Sequence, residues 1–338
     1  MDEYIFLTEF ISINKNIPLF TLAYVLFKCR PLMPRNPLLR INTIKYILKQ
    51  KERNVVPLPV HGEIAIKVGD FNYKIISLRE KAIYTVCNEG SETEIYEKLG
   101  YSHSNKMYEE IISVDTENKV IKGVFYNGYH PNIAKKHMKL NKKFCHLFYD
   151  LITNSDLKEV SAKKYAKSLY LDCLKILDRN SSEITVEQFN YVKKFILSRY
   201  KKIANEFLED VLHLTLNHGD IKKENLIEDG KRLILIDWEF CDFRIPSHDL
   251  LQFMKRYPNL ELSFYRTLFE TLNNNLKLNE LLYKELSRYF QLLGKSYLDI
   301  FYLEDIKIRL TQFENRNYAK DFSRYIVGYI KGIEEKST

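Results

Sequence analysis

The chain has 338 residues, 45% hydrophobic and 28% charged, with 24 Tyr and 20 Phe against only 11 Gly and 9 Pro. This composition excludes a disordered or fibrous protein and favours a helix-rich globular one. The formal net charge of +8 comes with no zinc-ligand spacing, RNA-recognition signature or basic heptad region, so nucleic acid is not expected as a partner. Cys29, Cys87, Cys145, Cys173 and Cys241 are odd in number and never paired as CxxC, which fits reduced thiols in a cytoplasmic protein.

In chain order, residues 1–60 read as an N-terminal extension. Asp2, Glu3 and Glu9 stand where a secretory signal would carry positive charge. The apolar run from Asn16 to Phe27 is shorter than the ~20 residues of a membrane span and predicts a packed helix or strand. From Lys15 to Arg53 the chain is almost purely basic. A solvated face is the plain reading of that arm, and peripheral membrane contact the alternative. Pro31, Pro34 and Pro37 break any helix there. Leu38, Ile41, Ile44 and Leu48 then recur at helical spacing, and Pro57 and Pro59 close the segment.

From His61 short strand patterns take over. Strands are expected over Glu63–Val68, Tyr73–Leu78 and Ala82–Val86, the first two joined by a turn at Gly69–Asn72. Ser91 and Glu94 form a capping box that opens a short helix ending at Gly100. Glu109–Val114 and Val120–Tyr126 add two strands around the turn at 115–118. Beyond Pro131 the chain reads as helical. Thr185 and Gln188 make a second capping box, with Ile184 and Phe189 as its staple. Phe189, Val192, Ile196, Tyr200, Ile203, Phe207 and Val211 line one apolar face. Strands and turns interrupt the helices from Leu214 to Phe240, and helical patterns resume near Ser247.

The chemistry lies in that interruption. Phosphoryl transfer to a hydroxyl needs a carboxylate to orient the hydroxyl and take its proton, oxygen ligands for Mg²⁺, and cations against the developing charge. In Asn217-His218-Gly219-Asp220-Ile221-Lys222-Lys223-Glu224-Asn225, followed by Ile236-Asp237-Trp238-Glu239, Asp220 supplies the first, Asn225 and Asp237 the second, and Lys222 a cation. Leu226-Ile227 and Leu233-Ile234 flank the turn at 228–231 and predict a hairpin joining the two halves.

This pattern resembles the protein-kinase superfamily in its aminoglycoside phosphotransferase and choline kinase branch. The branch shows H-G-D-x-x-x-x-N, then I-D-W-E or similar, then P-x-x-D-L, matched here by His218 to Asn225, Ile236 to Glu239, and Pro246 to Leu250. The resemblance implies an α+β, two-lobed fold. A small antiparallel-sheet N-lobe with one helix and a hinge would span residues 61–129, and a helical C-lobe with the catalytic loop residues 130–338. It implies ATP and Mg²⁺ as cofactors, Asp220 as base, Asn225 and Asp237 as metal ligands, and His218 and Asp249 as buried supports. Lys222 matches the lysine of protein-kinase loops. The expected third-strand lysine is replaced by Thr85, so Lys81 is the first substitute, Lys74 the second, and Glu92 the matching partner glutamate. The expected function is a kinase acting on a hydroxyl of a small molecule or glycan, such as an aminoglycoside, choline or ethanolamine, or a sugar. A non-catalytic pseudokinase is the alternative, and a protein kinase, without D-F-G or A-P-E, a more distant one.

Overall fold

The computed structural model describes residues 2–6, 11–18, 20–21, 24, 55–68, 72–87, 110–126, 128, 130–131, 133, 138–153, 157–207, 211–230, 232–238, 240–257, 270, 295–316 and 322–335. The chain divides into two compact units, residues 1–136 with 223–239, and residues 137–222 with 240–338. The expected helix at 91–99, the turn at 69–71, Glu92 and nearly all of the basic arm lie outside the described residues.

The first unit is built on an eight-stranded antiparallel sheet. Its strands are β1 (Asp2–Phe6), β2 (Ile11–Asn14), β3 (Val55–Leu58), β4 (Ile64–Val68), β5 (Asn72–Ser77), β6 (Ala82–Val86), β7 (Ile111–Asp115) and β8 (Val120–Val124). They run in the order β3-β1-β2-β4-β5-β6-β8-β7. The sheet therefore crosses the boundary expected at residue 60. Tyr4, fully buried, donates its hydroxyl to the carbonyls of Val60 and Gly62 at 3.1 Å each, and packs with Leu58, Ala65 and Ile75. Pro57 sits inside β3 opposite Glu3. Because β3 is the edge strand, a residue without an N–H costs no ladder bond on its open side.

In the second unit α1 (Met138–Thr153) is followed by β9 (Lys158–Ser161), α2 (Ala162–Arg179), α3 (Val186–Glu206) and β10 (Val211–Asn217). Both bonds of the Thr185–Gln188 capping box form. The apolar face of α3 buries Val192, Ile196 and Ile203 against α2, but the helix ends at Phe207. Val211 belongs to β10 and is exposed, not the last rung of that face. Strand β9, in a stretch expected to be helical, pairs with β10.

The hairpin of β11 (Leu226–Asp229) and β12 (Arg232–Leu235) returns to the first unit, although the sequence reading placed it within a helical lobe starting at 130. The second unit resumes with β13 (Asp242–Arg244), paired to β10, then α4 (His248–Arg256), α5 (Lys295–Arg316), a π-helical turn (Ser323–Val327) and α6 (Gly328–Glu334). Helices α2, α3, α5 and α6 enclose its core. Helix α5 also carries Asp299, Glu304 and Asp305 into the interior, each 1% exposed. Buried carboxylates persist only with partners, and these meet Arg199, His248 and Arg309 respectively.

Candidate active site

In the second unit, β10 delivers a loop that α4 holds by its side chains. Asp249 accepts the N–H groups of His218 and Gly219 at 2.7 and 2.9 Å. Three residues on, Gln252 accepts from Ile221 N–H and donates to the Gly219 carbonyl. Arg256, a turn further, donates to the Ile221 carbonyl and to Asp220 Oδ1, both at 3.0 Å. These positions share one helix face, which is why one helix can grip consecutive loop residues. His218, fully buried, accepts the N–H of Asp220 on Nδ1. Gly219 has φ +81°, and a Cβ there would lie 2.4 Å from the Phe240 carbonyl oxygen, so glycine is required on both counts. The result is a carboxylate, Asp220, that is 2% exposed and has Lys222 on Oδ2 and Arg256 on Oδ1.

In the first unit, the β11–β12 register sets Leu226 opposite Leu235. Ile236 then donates its N–H to the Asn225 carbonyl at 3.0 Å, so Asn225 lies beside the residue that precedes Asp237. Asp237 has φ +71°. The indole of Trp238, 4% exposed, donates to the Leu235 carbonyl at 3.1 Å and closes the turn around it. The Lys74 ammonium meets Asp237 Oδ1 at 3.1 Å. His130 Nδ1 lies 2.9 Å from the Leu226 carbonyl oxygen, and a Cβ on Gly128 would stand 2.4 Å from Ile227 Cγ2. Gly128 and His130 thus lie against β11.

With this geometry in view, the model of the ecdysteroid kinase-like family matches residues 131–297, a span containing all three motifs. Choline kinase from Cryptosporidium parvum Iowa II, 14% identical over 80% of this chain and 90% of its own, superposes with a TM-score of 0.50. This superposition shows that the chain shares its fold with a choline kinase. Its fold is the mixed α+β, two-lobed one expected. Choline kinase LicA from Streptococcus pneumoniae is 16% identical over 77% of this chain and 90% of its own, with a TM-score of 0.49. For the ADP-bound aminoglycoside phosphotransferase APH(2'')-Ib the values are 14%, 79%, 97% and 0.43. No curated protein sequence matches the chain.

The position of Lys81 differs from the one expected. Lys81 was expected to share a strand face with Thr85, by alternation. It instead sits in the turn before β6 with φ 51° and an exposed side chain, so the alternation stops at Ala82. Lys74 on β5 is the directly paired neighbour of Thr85, on the same sheet face, and it is the lysine that reaches Asp237. Gln252 and Arg256 went unnoticed in the sequence, although their spacing from Asp249, three and seven residues, was visible. As donors, Asn225 and Asp237 offer one amide and one carboxylate oxygen. Among the described residues no group of three or more His, Cys, Asp and Glu could hold a metal ion. The amide and carboxylate oxygens of Asn225 and Asp237 are of the kind that suits Mg²⁺, which takes one or two protein oxygens and otherwise phosphate and water.

Proposed function

We propose that this protein transfers the γ-phosphoryl group of ATP to a hydroxyl of a small molecule or glycan. The observation that carries the reading is Asp220, a buried carboxylate on a loop pinned at each residue from 218 to 221 by side chains. A carboxylate has about four lone-pair sites on its two oxygens, and this capacity is what allows an acceptor hydroxyl to donate to Asp220 in the proposed reaction. Asp220 orients that hydroxyl and receives its proton as the new P–O bond forms, while the bond from the γ-phosphorus to the bridging oxygen breaks and ADP leaves. Lys222, on the same carboxylate, offsets charge on the transferred group, and Lys74 does so for the nucleotide phosphates. Asn225 and Asp237 would hold Mg²⁺, which would supply positive charge against the negative charge of the phosphates. The pseudokinase alternative was motivated by a missing N-lobe lysine, and the Lys74–Asp237 pair weakens that motive.

A cytoplasmic setting is part of the proposal. The described Cys87, Cys145, Cys173 and Cys241 are not in disulfides. Among the described residues no helix is long and apolar enough to cross a membrane. Acceptors of aminoglycoside, choline or ethanolamine, and sugar type make up the panel to screen. The test is Mg²⁺-dependent ATP turnover against that panel, comparing wild type with Asp220→Ala. Acceptor-dependent turnover lost in the variant supports the reading. If no acceptor raises turnover and calorimetry finds no Mg²⁺-dependent nucleotide binding, a non-catalytic role replaces it.

A further inference from the structure

We infer that Gln252 is a positioning residue for Asp220, an amide clip that fixes the two peptide planes on either side of it. Its functional meaning rests on the phosphotransferase reading, but the clip itself stands on geometry. Gln252 is 5% exposed. Its Nε2 donates to the Gly219 carbonyl at 2.8 Å, and its Oε1 accepts the Ile221 N–H at 2.9 Å. The Gly219 carbonyl belongs to the peptide entering the Asp220 Cα, and the Ile221 N–H to the peptide leaving it. One planar group therefore sets both backbone torsions of Asp220, and with them the direction of its Cα–Cβ bond. A single side chain can do this only if it carries a donor and an acceptor side by side.

The amide is itself oriented. Its Nε2 also faces Asp305 Oδ1 at 3.3 Å, so the flipped amide would set a carbonyl against a carboxylate. Burial pushes the Asp305 carboxyl up, but the charges of Arg309, Lys255 and His248 outweigh it and hold the group well below the usual carboxylate range. Asp305 is in turn gripped by Arg309 Nε at 3.3 Å. A line of contacts thus runs from α5 through Gln252 to the loop, separate from the grip of Asp249 on His218 and Gly219. Asp249 secures the start of the loop and Gln252 secures Asp220.

Two variants test the clip. Gln252→Met keeps length and removes both polar atoms. Gln252→Glu keeps the acceptor, removes the donor, and serves if the first does not fold. In Gln252→Met, residue-resolved amide exchange is expected to accelerate about tenfold or more at Ile221, the loss of roughly one hydrogen bond. Exchange at His218 and Gly219 should change less than about threefold. With Mg²⁺-ATP and an accepted hydroxyl compound, kcat should fall about 10- to 100-fold with KM for ATP within about twofold, as expected when geometry and not binding is lost. Unchanged exchange at Ile221 in the folded variant overturns the clip, and so does accelerated exchange with kcat intact. Turnover that survives Asp220→Asn would instead sink the phosphotransferase reading, and the exchange measurement would still decide the clip.

Discussion

Asp220 and Asp237 are held in opposite ways. Asp220 is buried, on a loop whose backbone polar groups are bound by His218, Asp249, Gln252 and Arg256. The Asp237 side chain is 27% exposed, its backbone is left-handed, and it pairs with the half-buried Lys74. In the proposed reaction the difference is economical. A base must meet a neutral hydroxyl at one distance and angle, and nothing but the protein can fix that geometry. An acid that holds a metal ion receives part of its geometry from the ion and the phosphates, so its frame can be more open and more strained. The loop is built for position and the turn for charge.

Asymmetry of this kind predicts unequal losses. Asp220→Asn should cost the most, about 10²- to 10⁴-fold in kcat, the range of a positioned general base. Retained circular dichroism would show that the loss is chemical. A variant within threefold of wild type would break the comparison at its first member.

Gly219→Ala comes next, because it strikes the frame of the loop. The left-handed conformation costs an L-residue roughly 1–2 kcal/mol, and the new methyl would press on a backbone carbonyl that has little room to yield. A loss of about 2–4 kcal/mol in denaturant unfolding is expected. A change below 0.5 kcal/mol would mean that the loop is looser than its hydrogen bonds imply.

Lys74→Ala should raise KM for ATP about 10- to 100-fold, as for a lost hydrogen bond to a charged group. Lys81→Ala should stay within about twofold. The reverse pattern would return the nucleotide-side lysine to the turn before β6 and separate Asp237 from its proposed partner.

Which of these features could be read in advance follows from what each depends on. The roles proposed for Asp220, Asn225 and Asp237 can be read from spacing, because spacing is itself the requirement: five residues of loop, then a hairpin whose register returns the chain beside Asn225. Gln252 and Arg256 are ordinary helix residues until the loop backbone they bind is placed, so their spacing from Asp249 carried no meaning alone. Lys81 misled because alternation holds only while the backbone is extended, and a φ of 51° ends it one residue before β6. Residues 2–6 and 55–58 read as part of an extension because their pairing is non-local. Pro57 also looks like a terminator unless β3 is known to be an edge.

The smallest predicted effect isolates the backbone term on the Asp237 side. Asp237→Ala and Asp237→Gly both remove the carboxylate and the contact with Lys74, so their difference in stability contains neither. What remains is the cost of holding a residue at φ +71°. Alanine there carries about 1–2 kcal/mol of left-handed strain that glycine avoids. Glycine gives back about 0.4–1 kcal/mol through the greater freedom of its unfolded chain. The glycine variant should therefore be the more stable of the two by about 0.5–1 kcal/mol. Glu228, in the same hairpin and outside the left-handed region, supplies the control, because there glycine should be the less stable. If Asp237 shows the same sign as Glu228, the turn stores no strain and its difference from the Asp220 loop reduces to burial. If the signs differ, the left-handed turn is a standing cost that the fold carries to present a carboxylate beside Asn225.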